Sequence, residues 1–308
     1  MPPFRLLLPA ALTGLFMLMP ATAAEPASQA GAAPAPAFTE LAPGAWIYQG
    51  SGGAVLLAVG EDGAVLVDTD LPKGAPQLLA ALDARTRLPL RYAVNTHWHL
   101  DHVGANRELG ERGAVVVAHE NARARMAVDT YLKHHDRIMP ALPAQALPGL
   151  TLAGDGRAPV ATVRLRGLEL RLIHMPRAHT DGDLLAFLPA ANVLHLGDCF
   201  FNGLYPIIDT GTGGSVDGLI AALDMGLGLA DERSRIVAGH GPIGAKADLK
   251  AARDMLAEVR DRVARLKRAG RTREQVLAAA PTADLDPRWG QGWVKPAQFV
   301  GSVYDSLP

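Results

Sequence analysis

Thr96-His97-Trp98-His99-Leu100-Asp101-His102 carries three imidazoles and a carboxylate in one short stretch. Imidazole nitrogen and carboxylate oxygen are the ligands that suit zinc and neighbouring borderline metals, and donors this dense serve packing poorly. The preceding Arg91-Tyr92-Ala93-Val94-Asn95 reads as a short buried strand and Gly104 follows at once, so the cluster falls on a strand-to-helix loop, where sites are built. In a regular strand His97, His99 and Asp101 would share one face while His102 points away. A turn beginning near Asp101 therefore offers its donors to two neighbouring metal sites.

Working outward, Met1 to Ala24 has the outline of a secretory signal. Arg5 supplies charge, Leu6 to Met19 the apolar stretch, and Ala21-Thr22-Ala23-Ala24 the small residues of a cleavage site. The run is short for a membrane span and contains Pro9, so an exported, periplasmic chain without stable membrane insertion is expected. Residues 25–37, rich in Ala and Pro, read as a disordered leader. Residues 38–246 then form the main domain and 247–308 a helical appendage packed on it. Cys199 is the sole cysteine, so no internal disulfide forms. Formal charge is −1 from 30 Lys+Arg and 31 Asp+Glu without a long like-charged block, which argues against nucleic acid as a partner. The Arg-rich stretch from Arg253 to Arg273 carries Leu249, Ala252, Leu256, Val259, Val263 and Leu266 in steps of three and four, the pattern of a helix with one buried face. Oligomeric state has no signature here.

Ala54–Val59 and Ala64–Val67 flank Gly60-Glu61-Asp62-Gly63 as a hairpin. Ala75–Thr86 reads as helix, Arg91–Asn95 and Ala114–Val117 as strands, and Glu120–Leu132 as helix, an α/β alternation. Pro140 to Pro159 reads as an irregular connection. Closely spaced strands then follow at Ala161–Arg166, Leu168–Met175, Leu184–Leu188 and Val193–Leu196, suggesting antiparallel pairing. Asp217–Leu229 is helical, Arg235–Ala238 a last strand, and helices follow from about Ala247 and at Arg273–Ala280.

Three further donors stand where strands end: His179 in Arg177-Ala178-His179-Thr180-Asp181-Gly182-Asp183, Asp198 after His195-Leu196-Gly197, and His240 after Val237-Ala238-Gly239. With the His-x-His-x-Asp-His cluster, this set and order resemble the metallo-β-lactamase-fold superfamily from about Ala45 to Gly244. The resemblance implies a four-layer αββα sandwich of the α/β (α+β) class with all these loops along one edge. It implies that His97, His99 and His179 hold a first metal, that Asp101, His102 and His240 hold a second, and that Asp198 bridges them. Asp68, ending its strand in Val67-Asp68-Thr69, resembles the family's aspartate that supports the histidine loop from behind, although a turn or N-cap role fits the sequence equally.

Two zinc ions are the cofactors so implied, iron or manganese being chemically admissible alternatives. Two divalent cations sharing a water bring hydroxide within reach of neutral pH, and Asp101 would orient that nucleophile and shuttle its proton. The expected substrate is a small molecule with a cyclic amide or ester, a β-lactam or lactone. Cys199-Phe200-Phe201-Asn202-Gly203-Leu204-Tyr205 contains no lysine where one branch of true β-lactamases binds the substrate carboxylate, and the serines of another branch are not evident, so weak β-lactamase activity is expected. Phe200, Phe201, Asn202 and Tyr205 are candidates for a pocket wall, with core packing as the competing role of both phenylalanines. An iron-dependent persulfide dioxygenase and a non-catalytic metal binder are the alternatives. His119, His134, His135, His174 and His195 lack motif context and read as structural or solvent-facing, except that the segment from His134 to Pro148 could form a flap over the mouth. Trp289, Trp293, Phe299 and Tyr304 are expected to pack the appendage onto the sandwich, a dimer contact being the alternative.

Overall fold

The computed structural model describes Met1, Pro3 and residues 36–156 and 159–308. Apart from Met1 and Pro3, the segment expected to be a secretory signal lies outside them, as does the expected leader apart from residues 36 and 37. Residues 35–308 form one compact unit that includes the C-terminal segment.

The first half runs β1 (Thr39–Ala42), β2 (Ala45–Gln49), β3 (Ala54–Val59), β4 (Ala64–Val67), α1 (Ala75–Arg85), β5 (Leu90–Val94), α2 (Leu100–Val103), α3 (Asn106–Glu111), β6 (Val115–His119), α4 (Glu120–Met126), β7 (Thr130–Leu132), β8 (Arg137–Met139) and β9 (Leu150–Leu152). The second half adds β10 (Pro159–Leu165), β11 (Leu168–Met175), β12 (Asp183–Leu188), β13 (Val193–His195), α5 (Val216–Leu229), β14 (Arg235–Val237), α6 (Lys246–Arg268), α7 (Arg273–Ala278), α8 (Asp286–Trp289) and α9 (Pro296–Ser306). One sheet has the order β1-β2-β3-β4-β5-β6-β9, antiparallel to β4 and parallel beyond it. The other has the order β10-β11-β12-β13-β14, antiparallel except for β13 with β14.

Strand composition explains the layering. β3, β4 and β12 are buried along their whole length apart from a half-buried Val59, so both faces of each sheet must be covered. Leu56, Val65, Val67 and Val117 of the first sheet meet Leu172, Leu184, Ala186 and Val237 of the second in one core. Leu57 and Leu66 pack outward on Leu78 and Leu82 of α1 and Leu109 of α3. Ile173, Leu185 and Leu194 pack outward on Leu219 and Leu223 of α5 and on Leu249 and Leu256 of α6. This is the expected four-layer αββα sandwich. The buried stripe of α6 contains Leu249, Ala252, Leu256, Val259 and Val263, as their spacing predicts, and its basic face is tied up in ion pairs such as Arg253 with Asp224 and Arg260 with Asp217.

Two expectations need correction. The helix expected over Glu120–Leu132 stops at Met126, because the Thr130 hydroxyl takes the Arg125 and Val128 carbonyls and the Asp129 carboxylate takes the Ala141 N–H. The chain turns instead into the β7–β8 hairpin, with His134 and His135 in its turn. Within the connection expected to be irregular, Leu150–Leu152 adds a strand parallel to β6. β1 and β2 have no counterpart among the strands expected from sequence. None of the described helices is long and apolar enough to cross a membrane.

Candidate metal centre

The two sheets bring the ends of β4, β5, β11, β13 and β14 to one edge, and every donor singled out above sits there. The Asn95–His99 loop follows β5 and turns into α2 at Leu100, so His102 is carried back toward the sheet while Asp101 faces the cleft. Asn95 and Asn106 exchange side-chain hydrogen bonds of 2.9 Å, and Asn95 also donates to the His102 carbonyl. Leu184 N–H of β12 donates to the Thr96 carbonyl, which fastens the loop to the second sheet. The loop is thus held by side-chain amides on one side and by backbone on the other.

His97, His99, His179 and Asp198 bring their donor atoms together within 4.8 Å, and so do Asp101, His102 and His240. Asp198 faces both groups: its carboxylate lies 3.6 Å from His179 Nε2, 3.1 Å from His102 Nε2 and 3.5 Å from His240 Nε2. Asp101 Oδ2 lies 3.2 Å from His240 Nε2 and 3.5 Å from His102 Nε2. A tetrahedral ion with bonds near 2.1 Å sets its ligands about 3.4 Å apart, so these separations match donors arranged around cations. Buried His97 Nε2, His102 Nε2 and Asp198 Oδ1 make no hydrogen bond, which is costly unless something else binds them. The residues present therefore fit a metal centre.

Behind the donors, the opposite ring nitrogens are held. His97 Nδ1 lies 3.1 Å from the Thr96 hydroxyl, and His179 Nδ1 is 2.9 Å from the Ile207 carbonyl. His102 Nδ1 is 2.7 Å from Asp68, whose carboxylate also accepts the Thr96 N–H and hydroxyl. Asp68 is fully buried at φ 64°, so it braces the histidine loop rather than capping a helix. His99 is reversed: Nδ1 meets His179 Nε2 at 2.9 Å, while Nε2 lies 3.1 Å from Asp209. Such carboxylate–histidine pairs fix tautomer and ring orientation.

Asp209 is not among the residues that the sequence singles out. Its signal was a lone carboxylate closing Tyr205-Pro206-Ile207-Ile208 before a Gly- and Thr-rich turn. Burial alone would raise its pKa, but the hydrogen bond and charge of His99, joined by Thr212, bring it down to about 2. Asp209→Asn is expected to weaken metal binding about 10- to 100-fold, read by competition with a chromogenic chelator. Unchanged affinity would show that His99 needs no such brace.

Electrostatics divides the donors. Burial, aided by the charge on His102, holds His97 well below the usual imidazole range, and burial takes His179 down to about 4. Burial opposes ionisation of Asp101 and Asp198 too, yet His102 and His240 hold both carboxyls well below the usual range. Against the same burial, Asp198 and Asp101 lift His102 well above its ordinary value and His240 to about 9. The carboxylates thus favour the protonated forms of His102 and His240, and a cation binding between them would compete with those protons.

Above the donors opens a cleft of about 450 Å³, lined by Ser51 and Gly52, by Leu132, His135, Arg137 and Met139 of the hairpin, and by Ile207 and Trp293. Of the segment expected as a flap, His134 to Pro148, only His135, Arg137 and Met139 line this cleft, all on the β7–β8 hairpin. Phe200, Phe201, Asn202 and Tyr205 do not line this cleft, which corrects their candidacy as pocket wall. The three aromatics are buried in the core, Tyr205 stacks on Phe299 at 4.4 Å and donates to Asp286, and Asn202 donates to the Pro242 carbonyl. They anchor the C-terminal segment, together with buried Trp289 and Phe299. Trp293 instead stays half exposed beside His240. Of the remaining histidines, His195 bonds the Ala54 carbonyl and the Gly197 N–H, while His119 and His174 stack at 3.7 Å away from the cleft. Cys199 is buried, as its neighbourhood predicts.

Residues 48–240 match the profile of the metallo-beta-lactamase superfamily, and the chain belongs to that superfamily. It is a metal-dependent hydrolase. The hydroxyacylglutathione hydrolase GloC of Haemophilus influenzae is 26% identical over 182 residues, covering 59% of this chain and 81% of that protein. Among solved structures, a metallo-beta-lactamase from Pontibacter korlensis aligns with TM-score 0.59 at 21% identity over 72% of this chain and 99% of its own. A stereoselective inverting sec-alkylsulfatase from Pseudomonas sp. aligns with TM-score 0.65 at 19% identity over 87% of this chain and 50% of its own.

Proposed function

We propose that this chain is an exported, periplasmic dinuclear zinc hydrolase that opens a cyclic amide or ester, a β-lactam or lactone, with weak activity on β-lactams themselves. The observation that carries the reading is the pair of adjoining donor groups, one of three histidines with Asp198 and one of Asp101, His102 and His240, facing each other across the Asp198 carboxylate. His97, His99 and His179 would hold one ion, Asp101, His102 and His240 the other, and Asp198 would bridge. Bound there, two such ions supply a hydroxide near neutral pH and polarise the electrophile's oxygen.

The chain's own part is orientation and proton transfer. Asp101 keeps about a quarter of its side chain exposed to the cleft, unlike nearly buried Asp198. An ionised carboxylate at that place accepts the proton of an attacking water and returns it to the leaving nitrogen or oxygen. Leu132, Met139, Ile207 and Trp293 exclude water around the scissile bond.

A second reading is thioester hydrolysis, favoured by the relationship to a hydroxyacylglutathione hydrolase. Metal content of the purified chain, with a panel of lactones, lactams, esters, phosphoesters and acylglutathiones, tests both. Turnover confined to acylglutathiones selects the second, and no turnover at all by zinc-loaded protein removes both. Oxygen consumption on a persulfide by an iron-loaded preparation would place the chain among oxygenases instead.

Zinc uptake is expected to release protons from His102 and His240, both raised above the ordinary imidazole value, so apparent affinity rises with pH through about 9, where His240 is half deprotonated. Calorimetry in buffers of different ionisation enthalpy measures that release. Uptake without proton release would mean that these imidazoles are not ligands.

A further inference from the structure

The loop between β2 and β3, Gly50-Ser51-Gly52-Gly53, meets the surroundings of all three residues of the second donor group. Gly53 N–H donates to the Asp101 carbonyl at 3.1 Å, and its Cα abuts the His102 ring, where a Cβ would come within 2.7 Å of Nε2. Gly52 closes on Asp101 in the same way, since a Cβ there would lie 2.8 Å from the Asp101 Cβ and carbonyl. On either side of the loop the chain reaches the neighbours of His240: Ala54 N–H donates to the Gly239 carbonyl at 2.9 Å and the Gln49 amide to the Gly241 carbonyl at 3.4 Å. His97, His99 and His179 are braced from elsewhere, by the Thr96 hydroxyl, Asp209 and the Ile207 carbonyl.

A loop with three glycines in four residues has little conformational preference of its own, so its course must be imposed. Asp70 imposes it. Its fully buried carboxylate gathers the N–H groups of Gly52 at 2.5 Å, Leu71 at 2.7 Å and Ser51 at 3.2 Å. Backbone N–H groups aimed at a carboxylate make charge-assisted bonds, stronger than neutral ones. The sequence leaves room for them, because a Cβ on Gly50 or Gly74 would strike that carboxylate. Asp70 itself sits at φ 58°, a conformation that costs a non-glycine residue energy and persists where the surroundings enforce it. Its carbonyl also accepts the Gly104 N–H at 2.8 Å, just past α2, the helix that carries Asp101 and His102. One residue therefore ties the loop and that helix to the same point.

Resting on the two-ion reading above, we propose that Asp70 is a positioning residue for the second metal: by pinning the Gly50–Gly53 loop it holds Asp101, His102 and His240 at the spacing one cation requires. It is not one of the donors. Asp68 fixes His102 through Nδ1, and Asp70 acts through the loop on the other side of the ring.

The test uses the full chain, stripped of metal and titrated stepwise with zinc. Asp70→Gly removes all the carboxylate contacts and accepts φ 58° without strain, so the backbone keeps its course. Asp70→Asn keeps an acceptor oxygen and tolerates the same φ. Asp70→Gly should weaken the second zinc step about 10- to 100-fold and leave the first at native affinity, with Asp70→Asn falling between it and the native chain. In the metal-free chains, hydrogen exchange of the Gly53 and Ala54 amides should be at least about tenfold faster in Asp70→Gly. Should that variant fail to fold, Asp70→Asn carries the test, with the same selective loss expected at smaller size. Native affinity at both steps, equal weakening of both, or exchange at native rates would overturn the assignment. If the native chain takes up fewer than two ions, the two-ion reading fails by itself and exchange decides whether Asp70 sets the loop: faster exchange in the variant upholds the pinning, and unchanged rates end it.

Discussion

Asp198→Asn is expected to lower turnover at least about 10³-fold, the equivalent of several kcal/mol of lost electrostatic stabilisation, with the far-UV circular dichroism of the native chain. The carboxylate sits on the turn Gly197–Cys199 after β13, within 3.9 Å of His97 and within 3.6 Å of His102, His179 and His240. Asparagine keeps the volume but removes the negative charge and turns one arm into a donor aimed at imidazole nitrogens. Two cations at this spacing would then repel each other across a neutral residue. Elemental analysis should find the metal content reduced, and the remaining ion should be the one served by His97, His99 and His179. Two ions per chain with near-native turnover would take Asp198 out of the bridging position.

This centre is legible in sequence because of where its donors stand. His97, His99, Asp101 and His102 share one loop and the first turn of α2, and His179, Asp198 and His240 each come soon after a short apolar run, so strand ends mark them. The buried strands β3, β4 and β12 are just as visible, because a short continuous apolar stretch bounded by glycine or charge is too brief for a buried helix. β9 is another matter. Three residues, Leu150-Thr151-Leu152, become a strand only because β6 offers an open edge, and that edge belongs to the tertiary structure.

The cleft walls were the least legible part. Phe200, Phe201 and Tyr205 neighbour Asp198 in sequence, but their bulk is spent on the core, whereas Leu132, Arg137 and Trp293 reach the donors from a hairpin and from the far C-terminal segment. Sequence proximity is informative for ligands on one loop and uninformative for walls assembled from distant elements. Asp209 falls between these cases: it is 110 residues from His99 and shows its role only through the 3.1 Å contact.

Gly53→Ala should disable the second donor group without touching a ligand. A Cβ on Gly53 would lie 2.3 Å from His102 Cε1 and 2.7 Å from its Nε2, distances no real Cβ adopts. Neither partner has room to yield. His102 is fully buried with Nδ1 held by Asp68 at 2.7 Å, and Asp68 is fixed in turn by the Thr96 N–H and hydroxyl. On the other side, Gly53 N–H donates to the Asp101 carbonyl at 3.1 Å and Ala54 N–H to the Gly239 carbonyl at 2.9 Å. The Ser51 and Gly52 N–H groups are gathered by Asp70, so the whole loop is tied down. Relief must come from turning the His102 ring, which breaks the Asp68 contact and misdirects Nε2 by enough to lose a ligand. The expected result is a 10- to 100-fold weaker second ion, about 10²-fold lower turnover and a loss of roughly 1–3 kcal/mol in stability from overpacking. His97, His99 and His179 should still bind their ion with native affinity. Gly149→Ala is the matched control, since a Cβ there meets nothing within 4 Å. Stepwise zinc titration of both variants separates the two groups: loss of only the weaker step in Gly53→Ala fits the geometry, whereas equal loss of both steps would point to a general unfolding of the edge.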